Sequence, residues 1–238
     1  LAHLAYIPLP GGEAAVREPW RMALVHLHKL YGDDILEFGS PAGSLFEGLK
    51  ADQVLELAKR GFHSPPTSSM GRLFDAVSFL LCGMSRVSYE AEAAVALETL
   101  ALQAEGEAKS YPFGLERDEE SDIERLDPSL LFEGIMNDLA SGVPGANIAL
   151  GFHESIASLI AKTVTRLSDR MGVTDVVMSG GVFQNRLLCE LLERHADGAP
   201  WKCYGHILVP PNDGGVSLGQ AVVGAAILSS GTQSGDKE

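Results

Sequence analysis

The stretch TDVVMSGGVFQNRLL, residues 174–188, constrains the fold of this chain more than any other. A short apolar run predicts a strand over residues 175–178, and the pattern after it predicts a helix over residues 183–195. Ser179, Gly180 and Gly181 stand between them. Glycine adopts positive φ angles and lets a ligand approach the backbone closely. A strand, a glycine turn and a helix in this order are typical of ligand sites at the carboxyl ends of strands in α/β proteins.

A second stretch repeats this arrangement further along the chain. GHILV predicts a short strand over residues 205–209, and PPNDGGVSLGQAVVGAAILSS predicts a loop that opens a helix of small residues. Gly214 and Gly215 stand at the start of that helix, and Asp213 adds a carboxylate. Because several predicted helices precede these two units, the pattern indicates an α/β fold with helical insertions.

The two glycine turns carry chemistry that suits a nucleotide. A helix N-terminus directs free backbone amides at the turn before it. Asn185 adds a neutral donor and acceptor for ribose hydroxyls or a base edge, and Asp213 supplies the ionised oxygen that a divalent cation needs. Each turn alone has a plainer explanation, since Asp-Gly and Gly-Gly are common turn formers and Asp213 can cap a helix. Two such turns at corresponding junctions favour a nucleotide site.

A third stretch, SSMGRLFDAVSFLLCG, is informative only beside the other two. Gly71 near a helix start allows close approach of a ligand, and Arg72 can reach a phosphate. Asp75 follows one turn later. The alternative is an i, i+3 ion pair between Arg72 and Asp75 on a solvated helix face, which stabilises a helix by only a few tenths of a kcal/mol.

Composition narrows the classes of partner. The formal net charge of −14 argues against sequence-independent nucleic-acid binding, which requires Lys and Arg to neutralise phosphates. Backbone amides and a metal can still bind a small anionic ligand. The 3 cysteines show no C-x-x-C spacing, so they fit packing in a reducing cytoplasm. Without an apolar run near the ~20 residues of a membrane span, we expect a cytoplasmic protein with no membrane partner.

The rest of the chain reads mainly as helices. Apolar spacing predicts helices from Pro19 to Leu30, from Ala51 to Arg60, after a Thr67–Ser69 cap, from Ser88 onward, over residues 128–140 and over residues 147–171. Residues 106–127 are charged and poor in apolar side chains, and we expect an irregular surface connection with an edge strand near residues 111–115. The polar tail, residues 231–238, is predicted to be disordered.

Five segments taken in order resemble one family. They are PLPGGEAAVREPWRMA, TSSMGRLFDAVSFLLCG, SYEAEAAVALETLA, MSGGVFQNRLL and PPNDGGVSLGQA. Together they are similar to the C-terminal domain of HypF, the carbamoyltransferase of nickel–iron hydrogenase maturation. The similarity extends from Pro8 to Ala226. The core pattern G-x-x-F-D, S-G-G-x-x-x-N and N-D-G is also similar to the tRNA threonylcarbamoyl-transferring family, which is a less fitting match because of the acidic charge and the PLPGG and REPWRMA segments.

The resemblance implies a lobe of the actin/Hsp70-like ATPase (ribonuclease H-like) fold. It implies carbamoyl transfer from carbamoyl adenylate, made from ATP elsewhere in the protein, to the C-terminal cysteine of a HypE-type partner. It assigns no catalytic side chain, and no cysteine of this chain is needed for the reaction. By resemblance, Asp213 is a metal ligand and the residues that bind ATP or carbamoyl adenylate are Gly71, Arg72, Asp75, Ser179, Gly180, Gly181, Asn185, Gly214 and Gly215.

The chain also departs from the family. HypF proteins carry a His-rich metal motif upstream of these segments, so residues 1–230 are predicted to be the C-terminal part of the transferase domain, inactive alone, with an incomplete site for iron, zinc or magnesium. The scattered histidines are expected to be packing or surface residues. Ala91 and Glu92 replace the Gly and Gln that are common in the family's YEGQAA pattern. An actin-like module that binds a nucleotide or a partner without catalysis remains an alternative, and a homodimer stays open.

Overall fold

The computed structural model describes residues 1–37, 42–107, 109–118 and 122–231. The strands are β1 Ala2–Leu4, β2 Ile7–Pro8, β3 Pro66–Thr67, β4 Gly114–Asp118, β5 Ile123–Asp127, β6 Asp175–Val177 and β7 Lys202–Tyr204. The α-helices are α1 Glu13–Arg17, α2 Trp20–Tyr31, α3 Ala51–Lys59, α4 Met70–Cys82, α5 Glu92–Ala101, α6 Ser129–Ala140, α7 Gly145–Met171, α8 Arg186–Ala196 and α9 Val216–Gly231. The predicted α/β class is confirmed. The predicted tail lies outside the described residues, except for Gly231, which ends α9.

Most helices stand where the apolar spacing and the caps predict them. The N-cap of α4 is Ser69, whose side chain accepts a hydrogen bond from the backbone amide of Arg72. Gly32 follows α2 at a positive φ of 70°, as expected of the residue that ends a helix. The helices pack in the order α2, α4, α5, α7 and α8, each against the next. This order places α4 and α5, which line the candidate site, in the middle of the protein.

The helix predicted from Ser88 begins later, at Glu92. Ser88 does not cap it, because its backbone amide and hydroxyl both donate to the carboxylate of Glu92, at 2.5 and 2.9 Å. The residue before the helix, Ala91, has φ 66° and ψ 4°. A left-handed conformation is costly for a residue with a Cβ. The helix therefore starts late because residues 88–91 form a turn whose backbone is not helical, so the helix can begin only after it.

The strands form three small sheets. β5 lies between β1, which is parallel to it, and β4, which is antiparallel to it. The connection predicted to be irregular over residues 106–127 thus holds a hairpin, with its edge strand at Gly114–Asp118 rather than at residues 111–115. β6 pairs in parallel with β7 in the register Asp175↔Lys202. The prediction of a strand over residues 205–209 is wrong. Ile207 and Leu208 of that run are 93% and 95% exposed, so they are not core residues.

The core is built mainly from helix faces. Its largest fully buried side chains include Met22, Leu24 and Leu27 of α2, together with Phe74 of α4 and Phe152 of α7. The Phe74 and Phe152 rings meet edge to face with centroids 4.8 Å apart. This arrangement is favourable for aromatic quadrupoles and joins α4 to α7. His26 of α2 is also buried and stacks on Phe132, as expected for a packing histidine.

The segment around Tyr111 crosses α6 and α7 against two glycines. A Cβ at Gly134 would lie 2.6 Å from Tyr111 Cδ1, and one at Gly151 would overlap the carbonyl oxygen of Lys109. The Tyr111 hydroxyl donates to Asp138 at 2.8 Å, and the Tyr111 amide donates to Ser155 at 2.6 Å. The absence of side chains at the two glycines therefore lets this segment lie directly on the helices.

Helix α9 differs from every other long helix in the described part of the chain. It carries no charged side chain, and Leu218, Val222, Val223, Ile227 and Leu228 are all between 51% and 77% exposed. A helix that is apolar on all sides is normally buried. Among the described residues, no helix combines the length and the apolar character needed to cross a bilayer. Helix α9 is therefore apolar and largely exposed at once, unlike the buried faces of the core helices.

We predict that Gly151→Ala destabilises the protein by about 1–3 kcal/mol, because the new methyl group forces the Tyr111 segment off α7. Urea unfolding followed by circular dichroism measures this change. Gly145→Ala, in the same helix, is the control, since its Cβ meets Leu100 only at an ordinary 3.8 Å. Equal stability of the two variants would contradict the close packing at Gly151.

Candidate functional site

A pocket of about 260 Å³ opens beside the first half of α4. Two elements face α4 across it, the end of α1 and the turn that leads into α5. Its lining residues are Val16, Arg17, Arg72, Asp75, Val87, Ser88, Tyr89, Glu90, Ala91, Glu92 and Ala93. The pocket thus combines two arginines with three carboxylates on a largely apolar background, which suits a polar organic ligand better than a bare anion.

Arg72 and Asp75 form an ion pair on the wall of this pocket. The Nη1 atom of Arg72 lies 2.5 Å from Oδ2 of Asp75 and donates to the carbonyl oxygen of Val16 at 3.4 Å. The side chains are 18% and 6% exposed, respectively. The alternative of an ion pair on a solvated face is therefore wrong: the i, i+3 pair exists, but it is buried at the pocket.

Asp75 retains capacity to accept hydrogen bonds. Its Oδ2 atom has no hydrogen-bond partner with suitable geometry, although Arg72 lies close to it. Burial raises the pKa of Asp75 to about 6, while the nearby Arg72 guanidinium acts in the opposite direction. A buried acceptor without a donor is costly. A ligand hydroxyl or amide that donates to Asp75 would remove that cost.

The turn that closes the pocket is held by Glu92. Its carboxylate accepts the two hydrogen bonds from Ser88, and the bond from the Ser88 amide is the first cause that lowers the pKa of Glu92. Ala91 lies between them in the left-handed region, where a glycine would avoid a cost of roughly 1–2 kcal/mol. The replacement of Gly by Ala noted in the sequence therefore falls at a position where the backbone favours glycine.

The first glycine turn meets the loop before the second. Gly180 has φ 108°, which favours glycine, and its amide donates to the carbonyl oxygen of Pro211 at 2.7 Å. After it, residues Gly181–Gln184 form a 3₁₀ turn, so the helix predicted from Phe183 begins only at Arg186. The structure thus brings Ser179, Gly180 and Gly181 next to the segment that carries Asp213, Gly214 and Gly215.

Asn185 is the N-cap of α8. Its Oδ1 atom accepts a hydrogen bond from the Leu188 amide at 2.8 Å, and its Nδ2 atom lies 3.1 Å from Nε2 of His153. The carboxylate of Glu98 accepts the Leu187 amide at 2.9 Å. The expectation that this helix presents free amides is therefore wrong for Leu187 and Leu188. Asn185 is only 8% exposed, and its predicted contact with a nucleotide stays a prediction.

In the second turn the cap is Asn212. Its side chain accepts the Gly214 amide at 3.0 Å, so Asp213 is not the capping residue. A Cβ at Gly215 would lie 2.8 Å from the carbonyl oxygen of Pro210, which explains the glycine by close packing. Asp213 is exposed. Within the described ranges no three His, Cys, Asp or Glu residues are grouped as metal ligands. A metal at Asp213 stays a prediction that needs further ligands.

The predicted site residues therefore form two groups. Arg72 and Asp75 line the pocket, with Gly71 beside them in the first turn of α4. The residues of both glycine turns lie together elsewhere and do not line this pocket. The sequence analysis does not predict the turn over residues 88–93 as a wall of the site. Glu98 was also missed, because it caps a helix 89 residues away and no local pattern announces that contact.

The fold and this site define the class of protein. The chain belongs to the family described as Carbamoyltransferase, Kae1-like Domain, second subdomain, which matches residues 1–220. The resemblance to HypF is thereby confirmed.

Individual relatives agree with the family. The carbamoyltransferase HypF of Rhodobacter capsulatus is 37% identical over 97% of this chain, and the carbamoyltransferase HypF homolog of Cupriavidus necator is 32% identical over 94% of it. The chain spans 28% of the first relative's length and 57% of the second's.

A solved structure is similar as well. A crystal structure of full-length HypF in the phosphate- and nucleotide-bound form superposes with a TM-score of 0.81 and is 34% identical. The superposition covers 96% of this chain and 34% of that protein. The fold described above is therefore that of one part of HypF.

The raised pKa of Asp75 predicts a pH dependence of stability. The native state holds a proton that the unfolded state, with an ordinary pKa of 3.8, releases, so stability falls as pH rises from 3.8 to about 6. Between pH 4 and pH 7 we expect Asp75→Asn to gain about 1–3 kcal/mol relative to the parent chain. Urea unfolding at several pH values measures this, with the exposed Asp34→Asn as control. A constant difference across that range would contradict the buried carboxyl.

Proposed function

We propose that this chain is the nucleotide-binding part of a carbamoyltransferase that acts in nickel–iron hydrogenase maturation. The carbamoyl group passes from carbamoyl adenylate to the C-terminal cysteine of a HypE-type partner. The observation that carries this proposal is the buried Arg72–Asp75 pair, which faces a pocket of about 260 Å³. The family membership supports it, and so does a nucleotide in the solved structure of the similar HypF.

The pocket residues suit the sugar or base of an adenylate. Oδ2 of Asp75 can accept hydrogen bonds from hydroxyl or amino groups of a ligand. The negative charge of Asp75 also offsets the positive charge of Arg72 in the ion pair, so this wall of the pocket is not strongly cationic. The glycine turns are the proposed place of the phosphate, because Gly180 and Gly181 are exposed and the Gly180–Pro211 hydrogen bond joins the loops of the two turns. The role of this chain is to bind and orient the adenylate.

The acceptor thiolate comes from the partner in this proposal. In the transfer, a C–S bond forms at the carbamoyl carbon, the C–O bond to the adenylate phosphate breaks and AMP leaves. Burial raises the pKa of all 3 cysteines of this chain, Cys82, Cys189 and Cys203. Their reactive thiolate forms are therefore disfavoured. A cysteine on an exposed protein tail carries no such penalty.

The predicted metal would be held through Asp213. Asp213 is an exposed carboxylate that belongs to no group of three or more ligand residues in the described part of the chain, so further ligands would have to complete a site for iron, zinc or magnesium. No step of the binding described above depends on that ion. Asp213 is the residue of this chain that would contact it.

We further propose that the chain is one lobe of an actin/Hsp70-like domain. The exposed, uncharged helix α9 supports this, because its apolar side chains match a surface that another lobe would cover. The short parallel pair β6–β7 supports it too, since parallel sheets are normally covered on both faces. A nucleotide-binding module without activity of its own is therefore the second candidate for the isolated chain.

Titration calorimetry with ATP and magnesium, and with AMP, tests nucleotide binding. We expect micromolar affinity in the parent chain and about tenfold weaker binding in Asp75→Asn, which loses a charged acceptor. Asn185→Ala and Asp213→Ala test the glycine turns in the same way. Asp34→Asn makes the same change of charge on an exposed residue and should bind as the parent does. Full affinity in Asp75→Asn would remove the pocket from the nucleotide site.

Transfer assays test whether the chain acts alone. With carbamoyl adenylate and a peptide that ends in cysteine, we expect no more carbamoylated peptide than in the absence of protein, because in this proposal transfer requires a second lobe. Mass spectrometry of the peptide measures the product. Transfer above the uncatalysed rate would show that this lobe is sufficient and would contradict its role as an incomplete part.

A further inference from the structure

Helix α8, which follows the first glycine turn, is fixed at its N-terminus by its own cap, Asn185, and by a side chain of another helix. Glu98 of α5 accepts the Leu187 amide at 2.9 Å, and Asn185 accepts the Leu188 amide at 2.8 Å. These amides belong to the first turn of the helix, where the backbone itself offers no acceptor. A carboxylate at this end also interacts favourably with the helix dipole. The position of the helix start thus depends on α5.

The second contact comes from α7. His153 is fully buried, and its Nδ1 atom lies 2.8 Å from the carbonyl oxygen of Ala149. Because a carbonyl only accepts, Nδ1 carries the proton and Nε2 accepts from the Asn185 amide at 3.1 Å. Burial lowers the pKa of His153, which keeps the ring neutral. The Asn185 side chain is therefore oriented from both sides, by His153 and by Leu188.

Helix α5 touches both halves of the candidate site. Its N-terminal residues Glu92 and Ala93 line the pocket, and Glu98, further along the same helix, holds α8 behind the glycine turn. A helix is stiff over this length, so a shift of the pocket wall moves the acceptor of Leu187 as well. Helix α4, which carries Arg72 and Asp75, also contacts the 3₁₀ turn at Gly181–Gln184.

We propose that Glu98 is a positioning residue that fixes the first glycine turn relative to the nucleotide pocket, acting together with the Asn185–His153 pair. It does not touch the ligand. The proposal deepens the proposed function and rests on it for the identity of the ligand, whereas the position of the turn can be measured without any ligand.

The test compares Glu98→Ala with Glu98→Gln. Glutamine keeps an oxygen that accepts the Leu187 amide, and alanine removes it. Hydrogen exchange by NMR reports on the turn through the amides of Gly180, Phe183 and Asn185, which are all hydrogen-bonded in the structure. We expect these amides to exchange about tenfold faster in Glu98→Ala and within about twofold of the parent in Glu98→Gln.

Two controls separate positioning from general loss of stability. Thr99→Ala changes the next residue of α5, whose exposed hydroxyl bonds only within its own helix, to the Val95 carbonyl. Val54→Ala destabilises the core at α3, away from α5 and α8. Neither should change exchange at the three turn amides beyond what global unfolding contributes. If Val54→Ala accelerates them as much as Glu98→Ala does, or if Glu98→Gln behaves like alanine, the positioning role is overturned.

Nucleotide titration of the same variants then links the turn to the site. We expect about tenfold weaker ATP binding in Glu98→Ala and rescue in Glu98→Gln. If the parent chain binds no nucleotide but the exchange result holds, the proposed function fails and the positioning of the turn stands. If nucleotide binds and Glu98→Ala changes neither exchange nor affinity, the positioning proposal alone fails.

Discussion

The arrangement of this protein depends on the burial of α4. That helix packs against α2 on one side and α5 on the other, and α5 in turn packs on α7, which packs on α8. A central helix is expected to bury apolar side chains, but α4 also buries the carboxyl group of Asp75 beside Arg72. Burying an ion pair costs desolvation free energy that its attraction does not reliably return. Stability alone therefore gives little reason for the pair, and its location at the pocket gives a better one.

The two halves of the candidate site differ in how they are held. The pocket half relies on side chains: Arg72 pairs with Asp75, and Glu92 separately holds the turn at Ser88. The glycine half relies on the backbone, with a hydrogen bond between Gly180 and Pro211 and close packing at Gly215. Side chains select the shape and hydrogen bonds of an organic group, whereas backbone amides suit phosphate oxygens without adding formal charge. Under the proposed function, a chain with a net charge of −14 would bind an anionic nucleotide without an excess of positive side chains.

Local features were predictable from the sequence and long-range ones were not. The start of α4 follows from Ser69 and the end of α2 from Gly32, because caps act within one helical turn. The sequence predicts the second strand too late along the chain, because GHILV is more apolar than KCY. Pairing in register with β6 instead selects Lys202–Tyr204. The roles of Glu98 and His153 could not be predicted either. Each acts on a partner in another helix, and a glutamate or a histidine in a helical pattern has no local signature of such a contact.

The hydrogen bond from Gly180 to Pro211 has a consequence for the order in which the protein is completed. It closes a loop of chain that contains both α8 and β7. During synthesis on a ribosome, residue 180 emerges well before residue 211, so the first glycine turn lacks this partner until the chain has grown past both elements. The pocket beside α4 is different, because all its lining residues lie between Val16 and Ala93. The residues that line the pocket are thus synthesised before those that complete the turn, although the pocket walls α4 and α5 still gain their contacts with α7 later.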